Sequence, residues 1–207
     1  MDAEAAALAA VIGRRVRQER RSRDWTLDVL AERADVSRRM LINVEQGAVN
    51  PSVGMLLRIS GALGVGLPAL VGPPQADPVR LTRRGSGPVL WTGGSGGRAV
   101  LVAGTAARAA GDRADLVELW DWTLGPGDQY GGEPHARGTT ELLHVLHGAV
   151  SVGTGNETTA LDAGDALAFP GDVAHSYANS GPGEARFSLA VFEPGAGLRR
   201  FAEAKDA

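Results

Sequence analysis

Apolar residues recur at every third or fourth position through the first third of the chain, then change to short runs separated by glycine. Thr26 stands ahead of Leu27, Leu30 and Ala31, Ser37 ahead of Leu41 and Val44, and Ser52 ahead of Leu56, Leu57, Ile59, Ser60 and Leu63. A hydroxyl residue followed by a single apolar stripe marks a capped amphipathic helix. Three short helices are therefore predicted, after a longer one over about Ala5–Arg23. Gly47 and Gly64 supply left-handed stops, Pro51 with Ser52 opens the last of the three, and residues 34–36 suffice only for a turn. Beyond Val71 the runs Val89–Thr92, Arg98–Ala103, Leu116–Leu124, Glu141–Val152, Thr158–Leu161, Ala166–Phe169, His175–Ala178 and Ala185–Phe192 predict strands. Many short strands with glycine and proline between them argue a sandwich or barrel.

The two textures meet at Gly72-Pro73-Pro74-Gln75-Ala76-Asp77-Pro78, where proline density forbids regular pairing and reads as a linker. The plan is a helical domain over 1–70, a linker over 71–85, a β domain over 86–196 and a polar tail over 197–207. A chain of 207 residues is long enough for two cores. Its net charge of −3 conceals an asymmetry: residues 1–70 carry ten arginines against eight acids, the remainder eleven bases against sixteen acids. A modestly basic unit tethered to an acidic one suits a first half that meets phosphate, although Arg14, Arg15, Arg17, Arg20, Arg21 and Arg23 also fit a solvated helix face. The absence of cysteine excludes disulfides and thiolate metal sites. No apolar run is long enough to span a bilayer and no leader pattern opens the chain, so a cytoplasmic protein without a membrane partner is expected.

Two helices across a tight turn, preceded by an amphipathic helix, form a helix-turn-helix unit. The order of cap, Arg38-Arg39, Glu45, Gly47, Pro51-Ser52 and a closing Ala62-Leu63-Gly64-Val65 resembles the Cro/repressor-type (XRE) family over about Val11–Leu67. The resemblance implies an all-α, five-helix DNA-binding domain. In it Arg38, Arg39 and Asn43 read base edges, while Thr26, the Leu27 backbone N–H and Ser37 sit at helix N-termini against phosphates. It further implies double-stranded DNA with a palindromic operator as partner, and a homodimer to match it.

In the β-rich half, His135, Glu141 and Gly148, then Gly164, Pro170, His175 and Asn179, fall at the spacings of the two motifs of the cupin superfamily, which the stretch Arg113–Pro194 resembles. The implied fold is a double-stranded β-helix, or jelly-roll barrel. The implied ligands are His135, Glu141 and His175 for one divalent metal, zinc, nickel, manganese or iron. The pattern departs at Asp172, where the superfamily has glycine, and at Arg137, where it has a second histidine. A guanidinium cannot ligate a cation. Arg137 would instead grip an anionic effector or pair with Glu141, leaving three readings open: a metal site, an organic effector site and a structural pocket. Trp120 and Trp122, two apart on one face, and Tyr177, two beyond His175, are candidate effector contacts; core packing competes for the tryptophans. His144 and His147 read as surface or rim residues.

Both resemblances together imply a sequence-specific transcriptional regulator whose cupin domain senses a small molecule or metal, with no catalytic residues. The alternative is a metal-dependent cupin enzyme with an appended helix-turn-helix, similar to the fosfomycin-forming epoxidases. Their metal histidine lies four residues before the glutamate, which is the position of Arg137 here.

Overall fold

In the computed structural model, residues 3–71, 81–105 and 114–196 are described. Five helices and ten strands follow in order. Backbone contacts divide the chain into two compact units, with the helices in one and residues 78–105 and 117–194 forming the other. The predicted proline-rich linker over 72–78 and the tail over 197–207 lie outside the described residues; residues 81–85 are coil and turn.

The helices are α1 (Ala3–Arg21), α2 (Leu27–Ala34), α3 (Arg38–Glu45), α4 (Val53–Leu63) and α5 (Leu67–Val71). Each of the three predicted caps forms: the Thr26, Ser37 and Ser52 hydroxyl oxygens accept from the N–H groups of Val29, Met40 and Met55, each at 3.2 Å. Asp35, at φ 54°, turns the chain between α2 and α3, and Val36 donates its N–H back to the Ala31 carbonyl. Ile12, Val16, Leu30, Leu41, Leu56, Ile59, Leu63, Leu67 and Leu70 form the core. Gly13 has no spacing signature in the sequence, yet it sets how closely α1 meets α3: a Cβ there would stand 2.4 Å from the Val44 carbonyl oxygen.

The strands are β1 (Val89–Thr92), β2 (Arg98–Gly104), β3 (Ala114–Leu124), β4 (Gln129–Gly132), β5 (Thr140–His147), β6 (Ala149–Thr154), β7 (Glu157–Asp162), β8 (Ala166–Pro170), β9 (His175–Ala178) and β10 (Ala185–Ala196). They form a six-stranded sheet in the order β1-β2-β3-β10-β5-β8 and a four-stranded one in the order β4-β9-β6-β7. The predicted barrel is thus two antiparallel sheets in jelly-roll order, not a closed cylinder. The single run predicted over Glu141–Val152 is two strands, because Gly148 at φ 70° turns the chain between β5 and β6. Alternation supplies the inward faces: Leu116, Glu118, Trp120 and Trp122 on β3, Glu141, Leu143 and Val145 on β5, Phe187, Leu189, Val191 and Glu193 on β10. Trp122 is the hub, 4.8 Å between centroids from Tyr130, 5.3 Å from Tyr177 and stacked on Phe187 at 5.7 Å.

Candidate functional site

The helical unit presents α3 by a short chain of causes. Leu41 and Val44 are buried, which turns Arg38 and Arg39 outward, both exposed, with Asn43 half-buried beside them. The far end of α3 is fixed by a buried ion pair. Arg20 donates from Nε and a terminal nitrogen to the two oxygens of Glu45, at 2.6 and 2.9 Å, and also to the Trp25 carbonyl at 2.8 Å. Arg20 is therefore lost to the basic surface that the sequence suggests, and Arg23 is paired with Glu19 at 2.6 Å. Arg38 meets Asp28 of α2 at 2.9 Å, with both side chains more than half exposed. A pair so solvated contributes little, so phosphate or a base edge can displace Asp28. Thr26 and Ser37 are exposed at the starts of α2 and α3, and Leu27, half-buried, opens α2 with an N–H that has no acceptor in its own helix.

In the β unit, three side chains far apart in sequence converge. His135 lies in the loop after β4, Glu141 on β5 and His175 at the start of β9. One ligand atom from each lies within 4.8 Å of the others. Glu141 Oε1 is 3.0 Å from His135 Nε2 and 3.5 Å from His175 Nε2. His175 Nδ1 lies 2.9 Å from the Val173 carbonyl, which turns Nε2 toward the cluster. Gly132 leaves room for this ring: a Cβ on it would fall 2.2 Å from His175 Nε2. The other oxygen of Glu141 accepts a short hydrogen bond from Tyr177. Oε1, fully buried, has no N–H or O–H aimed at it.

The electrostatics favour the ionised carboxylate. Burial pushes Glu141 up, but the His135 contact, the charge of His175 and the Tyr177 hydroxyl outweigh it and hold it below the ordinary range. Tyr177 goes the other way, raised by burial and then by Glu141, and so stays a donor; Tyr130 is pushed up to about 12 for the same reasons. A buried, ionised oxygen without a donor, facing two imidazole nitrogens, is a donor set that fits a divalent cation.

Arg137 does not enter this cluster. It is exposed on the turn Ala136–Thr139, which is closed by the Thr139 hydroxyl on the Ala136 carbonyl at 2.6 Å and by the Gly138 N–H on Asp172 at 2.8 Å. The two departures from the motif pattern thus meet across two loops: Asp172, between β8 and β9, pins the turn between β4 and β5 that carries Arg137 outward. Trp120 and Trp122 are each 2% exposed and Tyr177 1%, so all three belong to the packed interior. His144 and His147 are exposed. Asn179 is structural: its amide donates to the Leu124 and Gly183 carbonyls at 3.0 and 2.7 Å.

Several functional or supporting groups escape the sequence reading. Asp128 accepts from the N–H groups of Ser95, Gly97 and Gly125 at 2.8–2.9 Å, and these bonds hold its carboxyl below the usual range. Glu118, buried, accepts from Trp120 Nε1 at 3.3 Å. Glu193, buried on β10, is raised by burial, with the nearby charge of His135 opposing.

Comparison with known proteins places both halves. A family model for helix-turn-helix domains matches residues 16–70, and one for cupin domains matches residues 120–192. The HTH-type transcriptional regulator SutR of Escherichia coli (strain K12) is 26% identical over 188 residues, 90% of this chain and 97% of its own. The immunity repressor protein of Bacillus phage phi105 is 39% identical over 61 residues, 30% of this chain and 42% of that protein. The crystal structure of an HTH_3 family transcriptional regulator from Vibrio cholerae shares the fold, with a TM-score of 0.68 and 23% identity over 92% of this chain and 99% of that one.

Proposed function

We propose, from the premise that the chain is a helix-turn-helix transcriptional regulator with a C-terminal cupin domain, that it binds a palindromic operator as a homodimer and that the cupin unit is its sensor. On this reading Arg38, Arg39 and Asn43 contact base edges and the α2 and α3 N-termini contact phosphate, for which their free N–H groups and dipoles are suited. The sensor is built around one divalent metal, zinc, nickel, manganese or iron, held by His135, Glu141 and His175. The observation that carries it is the Glu141 oxygen, buried without a donor and facing two imidazole nitrogens. A metal there supplies an open coordination position for an effector oxygen or nitrogen. Coupling to DNA requires that the bound form favour one dimer arrangement over another.

The alternative is a metal-dependent oxygenase with an appended DNA-binding unit, and the two-histidine, one-carboxylate set is the observation in its favour. The regulator reading, without catalysis, is preferred because α3 keeps Arg38 and Arg39 exposed and because SutR aligns along nearly its whole length. No described helix is long and apolar enough to cross a membrane.

The test is elemental analysis of protein purified without a histidine tag, followed by operator titration with and without chelator. We expect about one equivalent of metal, lost in His175→Ala, and an operator affinity that changes when the metal is stripped. Protein that stays metal-free after reconstitution would remove the metal from the sensor, and an affinity indifferent to the metal would remove its regulatory role.

A further inference from the structure

Resting on the reading of the cupin as a sensor, we infer that the effector carries a cationic ammonium group and that Glu193 is the residue that binds it.

The interior of the β unit has an unbalanced charge. Glu118, Glu193 and Glu141 come from three consecutive strands of one sheet, β3, β10 and β5, and all three are buried, at 3%, 7% and 0% exposure. Each described arginine of this unit, Arg83, Arg84, Arg98, Arg137 and Arg186, is exposed. Two of the three carboxylates are accounted for: Glu141 belongs to the histidine cluster and Glu118 receives the Trp120 indole. Glu193 makes no hydrogen bond or ion pair among the described residues, and its ligand atoms lie outside the metal set. It belongs to the same inner face, since Val191 pairs with Glu141 in the β5–β10 register and Glu193 is the next inward residue of β10.

A carboxyl kept in such a place without a partner is costly, and the groups that repay the cost are a cation or a strong donor. With Glu141 committed to the metal, an anionic effector would still meet the Glu118 and Glu193 carboxylates and no buried guanidinium among the described residues of this unit.

The experiment titrates the full-length protein with short linear alkylammonium ions and with carboxylates of matching length. Tryptophan fluorescence and calorimetry report binding, and metal content is measured on the same samples. Saturable binding of the amines and none of the carboxylates is expected. Glu193→Gln should weaken amine binding by about tenfold or more while retaining the metal. Glu193→Asp, which keeps the charge, should retain part of the affinity. Binding of carboxylates in place of amines overturns the inference, as does binding of neither. Unchanged amine binding in Glu193→Gln overturns it too, and so does a variant that loses metal but not amine affinity, because Glu193 would then support the ligand cluster. Wild-type protein that takes amines without metal refutes the metal reading alone.

Discussion

At the scale of single residues, the side chains proposed to read DNA are legible because their exposure follows from burial of their neighbours. Leu41 and Val44 take the inner face of α3, and periodicity then leaves Arg38 and Arg39 no other direction. Of the two, Arg38 shares its charge with Asp28, whereas Arg39 has no ion pair among the described residues. Arg39→Ala is expected to weaken specific operator binding by about 1–3 kcal/mol, with thermal stability unchanged, since no core contact is lost. Titration against operator and scrambled duplex separates the outcomes: equal losses on both would make Arg39 a phosphate contact, and no loss would remove it from the interface. The buried charges were less legible. Arg20 sits in a basic cluster that reads as one surface, and only the fold reveals its bidentate hold on Glu45, 25 positions on. Glu193 follows Phe192, where the predicted strand ends because Glu-Pro-Gly looks like a turn; β10 continues to Ala196, and alternation carries the carboxylate inward.

At the scale of elements, caps and stripes determine the helices, and the strands divide into those with an apolar signature and those without. β4 was missed because Gln129-Tyr130-Gly131-Gly132 offers one apolar side chain, while its role is to leave space for His175. The hydroxyl caps could be read directly, since each lies one position ahead of its helix. The spacing of α1 and α3 could not, because a glycine inside a helix looks like a weakness until the facing backbone is known. Gly13→Ala raises helix propensity yet brings a methyl to 2.4 Å from the Val44 carbonyl oxygen, and backbone cannot turn aside as a side chain can. The overlap should dominate, lowering stability by about 1–3 kcal/mol and tilting α3. Chemical denaturation with operator titration tests this. A variant at least as stable as wild type, with full operator affinity, would show that α1 shifts freely and that the Arg20–Glu45 pair alone positions the helix.

At the scale of the molecule, two compact units are recognisable from a change of texture along the chain, but the proposed contact with a second copy would be made by a surface, and surfaces leave weak traces in sequence. Palindromic DNA requires two recognition helices roughly 34 Å apart, which one chain cannot supply. The outer face of the six-stranded sheet carries Val117 and Leu119 on β3, Phe192 on β10, and Leu142 and Leu146 on β5, each 38–53% exposed. Leu142 lies opposite Ala190 in the β5–β10 register and opposite Ala168 in the β5–β8 register, so small side chains flank it on both sides. An exposed apolar sheet face of this kind is what an isologous interface buries, the same patch serving both copies. Leu142→Glu puts a carboxylate near the middle of that patch, where in a dimer it would be desolvated. Wild-type protein should sediment as a dimer and the variant as a monomer with an intact far-ultraviolet spectrum, because the inner face of β5 is untouched. The variant should lose most operator affinity even though Arg38, Arg39 and Asn43 are unaltered, since each half-site would be bound without its neighbour. A variant that remains dimeric with full affinity would move the interface off this sheet, and the helical unit would then have to supply the second contact.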